Sequence, residues 1–115
     1  MIKTKRVYDA PDPKDGYRVF VERLWPRGVT REAAAMDDWL KDIAPSPALR
    51  RDFKSKSLTW QQFAARYRAE LGSPEAAAAL ADLRLRARSG TVTLLYAKKD
   101  PVENSAAILR EVLES

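Results

Sequence analysis

Two residue types that carry much of protein chemistry are missing from this chain of 115 residues, which contains no cysteine and no histidine. Without cysteine there are no disulfide bonds, thiolate metal ligands or thiol nucleophiles. Without histidine the chain lacks the commonest general base near neutral pH and the commonest zinc ligand. We therefore expect no metal site, and any chemistry would depend on carboxylates, lysine, tyrosine or serine.

Long apolar runs are also absent. No stretch of about 18 apolar residues occurs, and the opening segment MIKTKR has no apolar stretch after its charges. We expect neither a membrane-spanning helix nor a secretory signal, and hence a cytoplasmic protein without a membrane partner. With 45% hydrophobic and 32% charged residues the composition is globular, and the length predicts one domain over residues 1–115.

The charge that is present is mostly positive and unevenly placed. The net charge is +5, and residues 1–56 hold 13 basic and 9 acidic side chains. A positive field of this kind favours acidic partners or phosphates. The alternative interpretation is that the charge only maintains solubility.

Three segments have the pattern of β-strands. IKTKRVY, near the N-terminus, alternates β-branched or aromatic residues with basic ones, and a turn-rich DAPDPKDG follows it. YRVFVERL places Val19, Val21 and Arg23 on one side of a second strand. TVTLLYA is almost continuously apolar, which is typical of a strand buried on both faces.

Capping residues and helical spacing predict helices between and after these strands. The predicted starts are Thr30, Ser46, Ser57, Ser73 and Asp100. The segment DDWLKDIA fits either a short helix or a strand. In the last helix we expect Asp100 to be the N-cap and Val102 to face inward.

Strands separated by helices, with the most apolar strand buried, predict the α/β class. We expect a small three-layer domain with a mostly parallel sheet flanked by helices. Ligands of such sheets bind beyond the carboxyl ends of the strands, where loops vary and helix N-termini point. Candidate site residues are therefore those that follow the predicted strands.

Two segments in such positions carry cations. In RLWPRG, Pro26 fixes a turn, Gly28 permits close backbone approach, and two arginines offer forked donors that match phosphate or carboxylate. Lys98-Lys99-Asp100 leads into the last predicted helix. We predict that these segments converge on an anionic small molecule. The binding residues would be Arg23, Trp25, Arg27, Gly28, Lys99 and Asp100.

In this prediction the arginines and Lys99 clamp charge and Trp25 forms a stacking wall. Asp100 and Tyr96 would be the only nearby candidates for proton transfer. Structural interpretations remain open beside these. Arg23 could pair with Asp9, Asp15 or Glu22, Trp25 could close one end of the core, and Asp100 could be only a helix cap.

Two other functions are compatible with the sequence. The first is a nucleic-acid-binding accessory domain that uses the basic N-terminal half, including Lys3, Lys5, Arg6, Lys54 and Lys56. The second is an interaction protein without a pocket. No Walker loop, GxGxxG segment or nucleophile elbow is present, so the sequence assigns no reaction, cofactor or oligomeric state.

Several segments together resemble a known family. They are RVYD at 6–9, DGYRVFVERLWPRG at 15–28, APSPALRRDF at 44–53, WQQFAARYRAEL at 60–71, and TLLYAKKD with Asn104 at 93–104. The chain resembles the YeaO-like bacterial proteins, a domain-of-unknown-function family, over nearly its whole length, most specifically at RLWPRG. The resemblance implies a compact cytoplasmic α/β domain, and it implies no reaction.

The chain also departs from that family's pattern. Relatives often have a histidine beside the asparagine that matches Asn104, where this chain has Glu103, and another before the tryptophan that matches Trp60, where it has SKSL. The resemblance therefore carries over no histidine-dependent metal or acid–base role. It leaves Asn104, with the RLWPRG cations, as a candidate ligand-binding residue.

Overall fold

The computed structural model describes residues 1–115 and contains four strands and five helices. The strands are β1 (Ile2–Arg6), β2 (Tyr17–Phe20), β3 (Asp38–Trp39) and β4 (Val92–Tyr96). The helices are α1 (Arg31–Ala34), α2 (Pro47–Lys54), α3 (Trp60–Leu71), α4 (Pro74–Ser89) and α5 (Ser105–Glu114). Two 3₁₀ turns lie at Pro13–Asp15 and Lys41–Ile43. No helix is long and apolar enough to cross a membrane.

The four strands form one sheet in the order β1-β4-β2-β3, and every neighbouring pair is parallel. Val92 of β4 lies opposite Ile2 on one side and Tyr17 on the other, so β4 is central. All five β4 residues are buried, as its apolar run predicts. The α/β class is thereby confirmed. The ambiguous DDWLKDIA segment supplies both the edge strand β3 and a 3₁₀ turn.

The two faces of the sheet are covered very differently. One, which we call the helical face, packs Val19, Val92 and Leu94 against α2, α3, α4 and α5 in a cluster of 19 buried residues. The other, which we call the thin face, has only the four-residue α1 and loops over Phe20 and Leu95. Most of the hydrophobic stabilisation therefore comes from the helical face.

The helix starts follow ordinary capping chemistry. The hydroxyls of Thr30, Ser46 and Ser73 each accept a hydrogen bond from the backbone N–H three residues later, which confirms these three predicted caps. The third helix begins slightly later than predicted, because Thr59 forms a reciprocal capping box with Gln62.

The predicted start of the last helix was wrong. Asp100 Oδ1 accepts hydrogen bonds from the N–H groups of Val102 and Glu103 within a non-helical turn. Asn104 is the true N-cap, because its Oδ1 accepts from Ala107 N at 2.8 Å. Val102 is 73% exposed and does not face inward. An aspartate can satisfy nearby backbone N–H groups in a turn as well as at a helix start, so the sequence pattern alone is ambiguous.

The second strand ends at Phe20, earlier than its sequence pattern indicates. Val21 N still donates to Leu95 O, but the Glu22 carbonyl accepts the indole N–H of Trp39 instead of continuing a strand. The chain turns at this point. As a result, Arg23 extends toward α2 on the helical face, whereas Trp25 packs on the thin face.

Candidate functional site

A groove of about 720 Å³ opens at the carboxyl ends of β2 and β4. Its walls are the segment after β2, helix α2, the first turn of α3, Lys98 after β4, and the start of α5. This is the position at which parallel α/β sheets bind ligands, and the volume lies in the range of small-molecule pockets, about 300–1,000 Å³.

The groove is strongly positive. Five cationic side chains and one carboxylate, Glu22, line it. The cations are Arg23, Arg50, Arg51, Lys54 and Lys98. None of the five forms an ion pair, although seven ion pairs occur elsewhere in the protein. Their charge is therefore not neutralised by a carboxylate within contact distance, and it adds up to an attractive field for an anion.

An aromatic wall closes one side of the groove. Phe63 is buried and stacks nearly parallel to the indole of Trp60, with 5.2 Å between the ring centroids. Phe53 meets Trp60 edge to face at 5.9 Å. The Lys98 ammonium lies 5.0 Å from the Trp60 centroid and 5.3 Å from that of Phe53. These rings hold Lys98 at the groove through cation–π attraction, which is about 0.5–1 kcal/mol at exposed positions.

Arg23 is the one groove cation with hydrogen bonds inside the protein. Its Nε donates to Pro45 O at 2.9 Å, and Nη2 donates to Ala44 O at 3.4 Å. It pairs with none of the carboxylates that the sequence suggested. The two carbonyls immediately precede helix α2, so Arg23 ties the end of β2 to that helix. Its Nη1 has no hydrogen-bond partner within the protein, so the N–H groups of this nitrogen remain available as donors.

Glu22 is the one acidic group in the groove. Its Oε2 accepts the backbone N–H of Ala97, which fixes the carboxylate between the ends of β2 and β4. Burial raises the pKa of Glu22, and the hydrogen bond from Ala97 and the charges of Arg50 and Lys98 only partly oppose that shift. Oε1 makes no hydrogen bond within the protein and can serve as an acceptor.

Asn104 lies at the groove, and both polar atoms of its amide group are hydrogen-bonded within the fold. Its side chain is buried, caps α5 through Oδ1, and donates from Nδ2 to the carbonyl of Asp100 at 3.0 Å. It thereby fixes the turn between β4 and α5. Ser105, the first residue of α5, lines the groove beside it.

The other predicted binding residues do not line this groove. Trp25 packs edge to face on Trp39, at 5.4 Å between centroids, and donates its indole N–H to Val29 O. Arg27 is exposed, and its carbonyl accepts the Tyr8 hydroxyl. Gly28 has a φ of 75°, as a tight turn requires, but no atom lies within 4 Å of where its Cβ would be. The structure thus separates Arg23 from the rest of RLWPRG.

The predicted residues after β4 also lie outside the groove. Lys99 is exposed, and the neighbouring Lys98 is the lysine that lines the groove. The hydrogen bonds from Glu103 N and Val102 N lower the pKa of Asp100. Burial, with a smaller contribution from the charge of Asp9, raises the pKa of Tyr96, whose ring lies in the core. Neither candidate for proton transfer borders the groove.

Sequence reasoning missed several groove residues for identifiable reasons. Trp60 and Phe63 belong with Tyr67 to a helical stripe that the spacing assigns to the core, yet both line the groove. Among the cations of α2, only Lys54 is a candidate from the sequence, as part of the nucleic-acid alternative. The one available signal was the RRDFK segment, in which basic residues surround an aromatic one.

The cations of the nucleic-acid alternative do not form one surface. Lys3 and Lys5 donate to Asp15 at 3.3 and 3.0 Å on the thin face. Arg6 donates to the carbonyls of Ala97 and Lys98. Lys54 alone of the five named cations lines the groove. No group of three or more acidic residues is placed to hold a metal ion.

The fold and the groove define a class of protein. It is a small parallel α/β protein with a groove at the carboxyl ends of its strands, lined by cations that form no ion pairs. Residues 1–115 match the family described as "Inactive DUF488-N3 subclade", and the chain belongs to that family.

Curated relatives are similar over almost the same length. The uncharacterized protein YeaO of Escherichia coli (strain K12) is 41% identical over 115 residues, which cover 99% of this chain and 97% of YeaO. An uncharacterized protein of Mycobacterium tuberculosis (strain H37Rv) and one of Mycobacterium bovis are each 37% identical over 112 residues, 97% of this chain and 92% of theirs. The resemblance to YeaO-like proteins is thereby confirmed. No solved structure gives a significant match.

Proposed function

We propose that the protein binds an anionic small molecule in the groove and acts as a binding protein. The observation that carries this proposal is the set of five unpaired cations around a groove with one carboxylate. Arg23, Arg50 and Arg51 offer planar donor groups suited to phosphate or carboxylate, and Lys98 adds a point charge. A cytoplasmic location remains a prediction within this proposal.

Binding without catalysis is supported by three features. The family is described as an inactive subclade, and the chain has no histidine that could act as a general base. Glu22 is the single carboxylate of the groove, and one of its oxygens accepts the Ala97 N–H. The groove therefore holds no second carboxylate with which Glu22 could form an acid–base pair.

Thermal unfolding in sodium sulfate, compared with sodium chloride of equal ionic strength, tests the proposal. A ligand that binds only the folded state stabilises it by about 2.7 kcal/mol at a hundredfold excess over its dissociation constant. We expect sulfate to raise Tm in the unaltered protein. Arg50→Gln should reduce that rise with little change in the Tm measured without sulfate, because Arg50 is exposed and has no partner in the protein.

Arg27→Gln is the matched control, because it removes an exposed arginine from the turn that the sequence favoured. It should leave the sulfate effect unchanged. A loss of the effect in Arg27→Gln, with the effect kept in Arg50→Gln, would move the site to the RLWPRG turn. If sulfate and phosphate both fail to stabilise the unaltered protein, the groove is not an anion site.

The nucleic-acid alternative has less support, because Lys3 and Lys5 are already bonded to Asp15. Salt dependence separates the two functions. A protein that neutralises several nucleic-acid phosphates loses affinity steeply and linearly with the logarithm of salt concentration.

A further inference from the structure

The groove combines charge and aromatic surface in a way that narrows the chemical class of its ligand. Five cations and one carboxylate give the lining a net charge of about +4, which favours a phosphate dianion over a single carboxylate. Trp60 and Phe53 form an aromatic wall beside these cations. A ligand that uses both features carries a phosphate and a flat ring.

We propose that the groove takes a nucleoside monophosphate, with its base against Trp60 and its phosphate among the arginines and Lys98. This inference rests on the proposed function and names its ligand class. Arg23 contributes the free Nη1, because Nε and Nη2 are held by the carbonyls of Pro45 and Ala44. Glu22 also lines the groove, and its Oε1, which has no hydrogen bond within the protein, accepts a hydrogen bond from a ribose hydroxyl.

The surface of Trp60 on the groove side is covered in the unbound protein by the Lys98 ammonium, 5.0 Å from the ring centroid. A stacked base would replace the cation–π contacts of Lys98 with both Trp60 and Phe53. Two exposed cation–π contacts together correspond to a factor of about 5 to 30 in an equilibrium constant, whereas stacking of a base on an aromatic side chain corresponds to about 5 to 150. The displaced ammonium is then free to pair with the phosphate.

The size of the groove agrees with this ligand. Its volume of about 720 Å³ leaves room for a base, a sugar and a phosphate, since pockets for ligands of that size are about 300–1,000 Å³. The aromatic wall is rigid on its inner side, because Phe63 is buried and stacks on Trp60. The stacking surface is therefore preorganised.

Calorimetric titration of the full chain with adenosine 5′-monophosphate, ribose 5-phosphate, adenosine and inorganic phosphate tests the inference. We expect adenosine 5′-monophosphate to bind about tenfold more tightly than ribose 5-phosphate, because of stacking. Trp60→Leu should remove most of that difference and leave ribose 5-phosphate affinity within about twofold. Trp25→Phe, on the thin face and outside the groove lining, is the control and should keep the difference.

Fluorescence gives a second measurement that does not require Trp60→Leu to fold. Adenosine 5′-monophosphate should quench tryptophan emission of the unaltered protein, and Trp60→Phe, which keeps a ring in the core, should lose the quench. Equal affinity for adenosine 5′-monophosphate and ribose 5-phosphate would overturn the nucleotide inference, and phosphate binding would still support the proposed function. Absence of binding by all phosphate compounds would overturn both.

Titration with a short oligonucleotide distinguishes binding of a free nucleotide from binding of a nucleic-acid strand. A single strand of about eight nucleotides should bind no more than a few-fold more tightly than adenosine 5′-monophosphate. Much tighter binding of the strand, with a steep salt dependence, would overturn the inference in favour of single-stranded nucleic acid.

Discussion

Along β4, neighbouring side chains enter two different environments. Leu94 packs into the 19-residue cluster under four helices, whereas Leu95 lies with Phe20, Val7 and Ala34 beneath loops and the short α1. On the helical face, apolar packing supplies the stability. On the thin face, less apolar material is available, and polar and aromatic side chains with satisfied hydrogen bonds complete the burial.

The ion cluster of the thin face shows how a structural charge differs from the charges of the groove. Asp15 is 1% exposed and contacts Lys3, Lys5 and Arg18, with Arg18 Nη1 at 2.6 Å. Arg18 also donates to the carbonyls of Ala34 and Ala35. Every donor group has a partner within the protein. The five groove cations have no carboxylate partner, and all except Arg23 also make no side-chain hydrogen bond within the protein. This contrast separates charges that build the fold from charges available to a ligand.

Among the variants that test this contrast between structural and available charges, Asp15→Asn should lower the unfolding free energy the most. Removal of one partner of a buried ion pair costs about 3–5 kcal/mol, because it leaves the Arg18 charge buried without compensation. Denaturant titration should show this loss. Asp52→Asn, which breaks an exposed pair with Arg66, should change the unfolding free energy by less than about 1 kcal/mol.

The pH dependence of the unfolding free energy under acidic conditions provides a second test of the role of Asp15. Burial raises the pKa of Asp15, but hydrogen bonds from Lys5, Asp12 N, Arg18 and Lys3 outweigh burial and lower the pKa from 3.8 to about 2. Since the folded pKa is depressed, this stabilisation is present above pH 3.8 and is lost as pH falls toward 2. Asp15→Asn should lack that part of the pH dependence. Identical curves for both proteins would contradict the role given to the cluster.

A smaller difference is expected between Leu94→Ala and Leu95→Ala, since both side chains are fully buried. Each substitution should lower the unfolding free energy by about 2–5 kcal/mol, through lost apolar burial and a residual cavity. Leu94→Ala should cost about 1 kcal/mol more, because four packed helices relax less than loops. Thermal or denaturant unfolding of the pair measures this, and an equal or reversed order would show that the thin face is as rigidly packed.

The smallest expected effect concerns Glu22 and the groove. Because burial raises the pKa of Glu22, its negative charge is lost at a higher pH than that of an ordinary glutamate. Sulfate, which does not titrate in this range, should bind more tightly as pH falls from 7.5 to 4.5, where a glutamate whose pKa is raised above 4.5 is mostly protonated. Glu22→Gln should bind sulfate more tightly at pH 7.5 and lose this pH dependence. Titration calorimetry at both pH values measures it.

The same variant has a predictable effect on stability. Since the folded pKa of Glu22 is raised, its ionised form is disfavoured in the folded state, and that penalty grows as pH rises through the folded pKa. Glu22→Gln should therefore leave Tm at neutral pH unchanged or slightly higher. A marked fall in Tm would show that the Ala97 contact requires the charged carboxylate.

The two glycines at turns show where local sequence information ends. RLWPRG indicates a special backbone at Gly28, and its φ of 75° agrees, yet the space around it is open. Gly16 has a φ of 63°, and a Cβ there would lie 2.2 Å from the carbonyl oxygen of Thr91, 75 residues later in the chain. The sequence around Gly16 predicts a turn, but a close approach to β4 depends on tertiary contacts.

Local chemistry determined much of the architecture. The apolar run of β4, the caps at Ser46 and Ser73, and the stripes of α3 and α4 act over a few residues, so the sequence alone predicts a parallel α/β fold and the sheet edge at which such folds bind ligands. The groove itself required the tertiary structure. Glu22, Arg50, Trp60 and Lys98 come from four separate segments.

The tertiary structure also determines on which face of the sheet each side chain of the RLWPRG segment lies. A continuous strand would have kept Arg23 and Trp25 on one face, since side chains two residues apart point the same way. The strand instead ends at Phe20, and the Glu22 carbonyl bonds to the Trp39 indole. That single long-range hydrogen bond accompanies the turn that places Arg23 in the groove and Trp25 on the thin face. The bond joins residues 17 positions apart, so a reading of neighbouring residues cannot predict it.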